Sequence, residues 1–120
     1  MRRSAATQSL EDKGIPASLG LALRELLRVL IKQDPKTRLY LCGSYARGDW
    51  LKDSDVDLIV VSKMFSDLHP GLKFALVKKH MAPGFPLDVQ AFTPKEFERA
   101  KKRSVILRDM LSYALEVSFD

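Results

Sequence analysis

The chain has 120 residues, 46% of them hydrophobic, which is enough for one compact domain with a single core. Lysine and arginine exceed the acidic residues and give a net charge of +5, which suits anionic ligands without requiring nucleic acid. No segment is apolar enough for a membrane span or a signal peptide, which predicts a cytoplasmic protein. A single cysteine, Cys42, and two histidines exclude an internal disulfide and the common zinc sites, so any metal must be held by oxygen.

The first part of the sequence changes character near residue 14. Residues 1–14 are polar and lack apolar periodicity, which predicts a flexible tail before a single domain at residues 15–120. From Ser18 onward apolar residues recur at helical spacing, so a helix is expected that ends before Pro35. The short apolar run Arg38–Cys42 then predicts the first strand.

Two further strands and a helix are predicted in the middle of the chain. Val56–Val61 is apolar on both faces except at Asp57, as expected of a central strand, and its short connection to the first strand favours antiparallel pairing. A second main helix is expected to begin near Ser66-Asp67 and to end at Pro83-Gly84. Pro86–Phe92 predicts the third strand.

The C-terminal part of the sequence predicts helices. Thr93 is a capping residue followed by Pro94 and, three positions after the threonine, by Glu96, which is the pattern of a capping box. The apolar stripe beyond the basic run at residues 101–103 predicts helix as far as Phe119. The expected fold is therefore α+β, a small mixed β-sheet packed with helices.

One arrangement of residues indicates chemistry. Gly43 and Ser44 follow the first strand, and ten residues separate Ser44 from Asp55 and Asp57. A glycine lets a phosphate approach the backbone, and the adjacent hydroxyl and N–H groups can bind its oxygens. The two aspartates leave the same face of a strand about 6.6 Å apart and can hold Mg²⁺.

Two more residues are candidates for the same site. Asp88 lies between apolar neighbours on the third predicted strand, where a carboxylate is costly unless a cation pairs with it. Arg47, in the loop after Ser44, either contacts phosphate or is a structural partner of a nearby carboxylate. Nucleotidyl transfer needs a phosphate site and a metal site together, and this segment offers both.

The spacing Gly-Ser, ten residues, Asp-x-Asp resembles the signature of minimal nucleotidyltransferases in the DNA polymerase beta superfamily. The resemblance implies that Asp55 and Asp57 hold two Mg²⁺ ions with the triphosphate of ATP. It implies that Asp88 completes the second ion and helps to deprotonate the attacking hydroxyl. Gly43 and Ser44 would bind the terminal phosphates.

The resemblance also implies a reaction and a partner. Small members of this family resemble antitoxins that adenylylate a tyrosine of a helical HEPN-domain toxin, with pyrophosphate as the second product. A protein acceptor is therefore expected, nucleic acid is not expected as the main substrate, and a homo-oligomer stays open. The alternatives are an antibiotic-type enzyme that modifies a small molecule as a dimer, and an antitoxin that neutralises its partner by contact alone.

Overall fold

The computed structural model describes residues 10–119 of the chain. Within them, five helices and four strands form the α+β fold that the sequence predicts. In chain order the elements are α1 (Ala17–Gln33), β1 (Arg38–Cys42), α2 (Gly43–Arg47), β2 (Val56–Val61), α3 (Pro70–Lys78), β3 (Leu87–Phe92), α4 (Pro94–Arg103), α5 (Val105–Tyr113) and β4 (Leu115–Glu116). Short 3₁₀ turns lie at Glu11–Lys13 and Lys63–Phe65.

The sheet is mixed and has the strand order β3-β2-β1-β4. β1 and β2 are antiparallel, with Leu41 opposite Leu58, as the short connection between them predicts. β2 and β3 are parallel, and in their register Asp57 lies directly beside Asp88. The predicted mixed sheet is thus confirmed, and its parallel pair carries the acidic residues.

The central strand β2 is covered on both faces. Leu58 and Val60 lie in a core cluster with the buried leucines of α1. Ile59 and Val61 belong to a second cluster, with Phe97 of α4 and other residues of α4 and α5. Burying a side chain of this size stabilises the fold by roughly 1.5–3 kcal/mol, so both faces hold β2 in place.

The caps of the two C-terminal helices follow from the sequence. Thr93 Oγ1 accepts a hydrogen bond from the backbone N–H of Glu96 at 3.2 Å, and Glu96 Oε1 accepts one from the N–H of Thr93 at 2.8 Å. This is the predicted capping box. Ser104 ends α4, and its hydroxyl caps α5 by accepting the N–H of Leu107 at 3.0 Å.

The predicted start of the second main helix at Ser66-Asp67 is wrong. α3 begins at Pro70, and the ring nitrogen Nδ1 of His69 caps it by accepting the N–H of Gly71 at 3.1 Å. Proline disfavours the helical backbone conformation at the residue before it, so the helix begins after His69. Asp67 instead has a positive φ of 63° in the preceding turn.

The prediction of helix as far as Phe119 is also wrong. α5 ends at Tyr113, and Leu115–Glu116 pairs antiparallel with β1. The N–H of Val117 continues this pairing by donating to the carbonyl of Leu39 at 2.8 Å. Leu115 and Val117 are two residues apart, as side chains on one face of a strand are, and both pack in the core cluster. Their burial outweighs the helical pattern of the sequence.

The described part of the predicted flexible tail packs against the domain. Residues 1–9 lie outside the described residues, but Leu10 is only 4% exposed and belongs to the core cluster. Glu11 forms an ion pair with Arg24 of α1 at 2.9 Å, and this pairing lowers the pKa of the Glu11 carboxyl. The expected tail is therefore wrong for residues 10–14.

A buried polar cluster, which we call the Asp34 corner, joins the start of β1 to the end of β2. Ser62 Oγ donates to Asp34 Oδ2 at 2.8 Å, the N–H of Lys63 donates to the same oxygen at 3.1 Å, and the N–H of Lys36 donates to Oδ1 at 3.1 Å. Burial alone would raise the pKa of the Asp34 carboxyl, but these hydrogen bonds outweigh burial and hold it below its ordinary value. Thr37 Oγ1 completes the corner 3.0 Å from Ser62 Oγ.

Candidate active site

The candidate site begins where β1 passes into α2. Gly43 is buried and has a φ of 65°, a left-handed conformation that costs other residues energy. A Cβ added at Gly43 would overlap the carboxylate of Asp57. Glycine is therefore required here for two reasons, and it brings the backbone at the start of α2 against the Asp57 side chain.

The sheet brings the second and third predicted carboxylates together. Asp57 and Asp88 are partners in the parallel register of β2 and β3, so their Cα atoms are about 4.8 Å apart and their side chains leave the same face. Asp55 lies just before β2 and is exposed. Its separation of two residues from Asp57 predicts the same face.

The three carboxylates affect one another electrostatically. Burial raises the pKa of the Asp57 carboxyl, and the charges of Asp88 and Asp55 raise it further, while the Arg47 guanidinium acts in the opposite direction. In residues 10–119 no side chain forms a hydrogen bond or an ion pair with any of the three carboxylates. Within residues 10–119 these carboxylates thus have no direct hydrogen-bonding or ion-pair partner, and the charge of Arg47 offsets that of Asp57 only in part.

Carboxylate oxygens are the donors that Mg²⁺ prefers, so the residue types fit a divalent ion. The Asp57 carboxylate occupies the space that a Cβ at residue 43 would fill, so it lies directly against the backbone of Gly43. Among the described residues, no three His, Cys, Asp or Glu side chains are already gathered tightly enough to hold one ion. Binding an ion here therefore requires the carboxylates to turn toward a common point.

Ser44 is the second residue of α2 and is half-buried beside Gly43. Its carbonyl accepts the N–H groups of Gly48 at 2.9 Å and Asp49 at 3.1 Å, which close the short helix. Tyr45 anchors this helix by stacking on Trp50, with ring centroids 5.2 Å apart. These contacts hold the backbone of α2 in place after Gly43, and contact of the Ser44 hydroxyl with phosphate stays a prediction.

Arg47 is exposed at the end of α2, and its guanidinium has two partners. Nη1 donates to the hydroxyl of Tyr113 at 3.0 Å, and Nε donates to Asp49 Oδ2 at 3.3 Å. The guanidinium carbon also lies 5.5 Å from the centre of the Tyr113 ring. The structure therefore shows the structural contacts of Arg47, and its contact with phosphate stays a prediction.

Tyr113 is the site neighbour that sequence reasoning missed. It is the last residue of α5 and lies 66 positions after Arg47 in the chain. No local pattern marks such a residue, because only the packing of α5 beside α2 brings the two side chains together.

Cys42 lies opposite Asp57 in the register of β1 and β2 and is fully buried. Burial, with a smaller contribution from the Asp57 charge, raises the pKa of the Cys42 thiol to about 12. The thiol is therefore protonated at neutral pH and packs as a small apolar group.

Comparison with known proteins identifies the family. The family model described as the nucleotidyltransferase domain matches residues 23–113, which include every carboxylate of the site. The chain belongs to the nucleotidyltransferase domain family. This match supports a nucleotidyl transfer activity for the domain. It does not specify the nucleotide donor, the acceptor or the metal.

One solved structure supports this fold. The nucleotidyltransferase domain is similar to the crystal structure of a candidate nucleotidyltransferase from Sulfolobus solfataricus, with 21% identity, a TM-score of 0.55 and coverage of 82% of each chain. A second candidate nucleotidyltransferase structure is 29% identical over 67% of this chain and 87% of its own, with a TM-score of 0.47. A search of curated proteins found no match.

No helix within residues 10–119 of this nucleotidyltransferase domain is both long and apolar enough to cross a bilayer.

Proposed function

We propose that this nucleotidyltransferase domain transfers AMP from ATP to a hydroxyl group in a Mg²⁺-dependent reaction that releases pyrophosphate. The observation that carries the proposal is the in-register pair Asp57 and Asp88, with the Asp57 carboxylate against the backbone of Gly43. The negative charges of Asp88 and Asp55 help to raise the pKa of the Asp57 carboxyl, and a cation such as the Mg²⁺ of a bound nucleotide triphosphate would offset them.

Each residue of the site has a role in this proposal. Asp55 and Asp57 would hold the metal ions, Asp88 would complete the second ion, and the ions would supply positive charge for the triphosphate. Asp88 accepts the proton of the acceptor hydroxyl as its oxygen attacks the α-phosphorus. The bond from that phosphorus to the bridging oxygen breaks, and pyrophosphate leaves. Gly43 and Ser44 bind the departing phosphates.

For the acceptor, we propose a tyrosine of a helical HEPN-domain toxin, with this chain as the antitoxin. The resemblance of the Gly43-Ser44 and Asp55-Asp57 spacing to that of small antitoxin-type nucleotidyltransferases supports this assignment. The chemistry agrees, because a phenol is more acidic than an aliphatic alcohol, so a carboxylate can assist its deprotonation more readily.

The test is label transfer from ATP that carries its label on the α-phosphate. The chain, Mg²⁺ and a HEPN-domain protein encoded beside it are mixed, and the label on that protein is measured with and without EDTA. We expect labelled partner in the presence of Mg²⁺, none with EDTA, and none with the double variant Asp55→Asn/Asp57→Asn. The matched control is Asp53→Asn, an exposed aspartate in the turn before β2.

Two outcomes contradict the proposal. If label is still transferred in the presence of EDTA, or by the double variant, the metal-binding carboxylates are not needed for the reaction. Neutralisation of the toxin by the double variant, without label, would instead identify an antitoxin that acts by contact.

A further inference from the structure

The outer edge of the sheet at β3 is open in the described part of the chain. β3 has β2 as its neighbour on one side, and no strand of residues 10–119 pairs on the other. The carbonyls of Pro86 and Phe92 accept N–H groups from the β2 side at 2.7 and 2.9 Å. The carbonyl of Ala91 points the other way and accepts Lys73 Nζ at 3.3 Å. Backbone groups of the odd-numbered residues of β3 therefore face outward. In the described chain the Ala91 carbonyl is bonded to Lys73, whereas the backbone groups of Val89 are available to another strand.

A groove follows this edge. Two depressions of about 220 Å³ and 340 Å³ lie along it and share Lys73, Ala91 and Phe92 in their walls. Apolar residues of α3 line one end of the groove, and the exposed side of α4 lines the other. We call this surface the β3 groove. It combines backbone hydrogen-bonding groups with apolar walls, which are the two requirements for binding an extended peptide.

The α4 end of the β3 groove is positively charged. Arg99 and Arg103 lie one helical turn apart, both are exposed, and neither forms an ion pair with another residue of the described chain. Lys73 is mostly covered and pairs with Glu96 at 3.0 Å, so Glu96 is not free to neutralise the arginines. The groove therefore presents two uncompensated guanidinium groups next to an open strand edge.

We propose that the β3 groove binds an extended acidic segment of a partner protein, which adds to the sheet as a strand beside β3. The open backbone groups supply the hydrogen bonds, and Arg99 and Arg103 supply the charge selectivity. This proposal does not rest on the proposed function, because it uses none of the acidic residues of the candidate active site. It does place the partner along the strand that carries Asp88.

The positive charge and the open backbone groups of the β3 groove favour an acidic peptide over a second copy of the chain, residues 1–9 or a nucleic acid. A second copy paired edge to edge would bring two sets of these arginines together and repel itself. Residues 1–9 contain Arg2 and Arg3 and no acidic residue, so they are disfavoured for the same reason. A nucleic acid would satisfy the arginines but has no peptide backbone to pair with β3.

The test is fluorescence anisotropy with the full chain and a labelled peptide of about eight residues that alternates Glu and Thr. Three comparisons accompany it: the same peptide with Lys in place of Glu, the same peptide with its central backbone nitrogens methylated, and a single-stranded oligouridine. On the protein side, the variant is Arg99→Glu/Arg103→Glu. Its matched control is Arg28→Glu/Lys32→Glu on α1, which reverses the same number of charges.

The acidic peptide is expected to bind, and the Arg99→Glu/Arg103→Glu variant to bind it at least about tenfold more weakly, while the α1 control binds it unchanged. Backbone methylation is expected to abolish binding, because methyl groups block strand pairing. Equal binding of the methylated or the Lys peptide would overturn the proposal. Tighter binding of oligouridine than of the acidic peptide would overturn it in favour of nucleic acid. A stable dimer of the unmodified chain in sedimentation, together with no binding of the acidic peptide, would overturn it in favour of a second copy.

Discussion

The two ends of β2 each have an aspartate partly or fully removed from water, and the protein treats them in opposite ways. At the Asp34 corner the carboxylate is 3% exposed, both of its oxygens accept hydrogen bonds, and its pKa is lowered. At the other end Asp57 is half-buried, accepts no hydrogen bond from residues 10–119 and has a raised pKa.

This difference distinguishes a carboxylate that stabilises the fold from one that we propose to be functional. A buried charge that is fully hydrogen-bonded contributes to the free energy of folding, whereas a set of unpaired like charges reduces it. Folding alone gives no reason to keep Asp55, Asp57 and Asp88 together. Binding of a cation does give one, so the unfavourable electrostatics at this end of the sheet are themselves an indication of function.

The largest effect is expected at the Asp34 corner. Asp34→Ala leaves the Ser62 hydroxyl and two backbone N–H groups without their acceptor, so it should reduce the free energy of unfolding by about 3 kcal/mol. Urea denaturation followed by circular dichroism measures this loss. Asp109→Ala, at an exposed position on α5, is the control and should change stability little. A loss of similar size in both variants would contradict the structural role of Asp34.

At the opposite end, Gly43→Ala should reduce nucleotidyl transfer at least about 10²-fold, because its Cβ displaces the Asp57 carboxylate. Gly84→Ala is the matched control. Gly84 also has a positive φ, 95°, but a Cβ there meets nothing within 4 Å. Both variants should lose about 1 kcal/mol of stability from the backbone conformation, while activity should fall only in Gly43→Ala. Equal transfer rates in the two variants would mean that close packing at residue 43 is unimportant.

Acid should destabilise the protein through Asp34. Because its folded pKa lies below the ordinary value of 3.8, the carboxylate contributes stability above about pH 4 and loses it as the pH falls through the lowered folded pKa. The contribution is on the order of 1 kcal/mol and should be missing from the acid titration of Asp34→Asn. Urea midpoints measured from neutral pH down to acid give the comparison. If the urea midpoints of the two proteins fall equally as the pH is lowered, protonation of Asp34 is not the cause of the acid destabilisation.

The smallest effect has the opposite sign. Asp57→Asn removes a charge that burial and two neighbouring carboxylates disfavour, so it should raise the free energy of unfolding by roughly 0.5 kcal/mol while abolishing transfer. Thermal unfolding without added metal measures the gain. Asp53→Asn is the control, with no gain expected. If Asp57→Asn is destabilising, the contrast between the two ends of β2 fails.

Local patterns in the sequence were sufficient for much of the fold. The β-branched run of β2 and the capping box at Thr93 each contain their own signal within a few residues, and both predictions are confirmed. The antiparallel pairing of β1 with β2 followed from their short connection. For the site, the spacing of Asp55 and Asp57 implied a shared face, and the register of β3 explains why Asp88 joins them.

The errors arose where tertiary contacts outweigh a local pattern. The segment after Tyr113 has apolar residues that suit either a helix or a strand, and only the free edge of β1 selects a strand. Leu10 was read as part of a tail because one apolar residue has no periodicity, although the core has room for it. The start of α3 could have been predicted, since Pro70 already marks the first turn of a helix.

The short strand β4 lies next to Tyr113, which accepts a hydrogen bond from the guanidinium of Arg47. Tyr113 stands two residues before Leu115, so the two-residue ladder of β4 on β1 holds the phenol in place beside Arg47. We expect loss of this ladder to weaken the hydrogen bond between Arg47 and Tyr113. Through that bond the C-terminal end of the described chain reaches the candidate site without contributing a carboxylate to it.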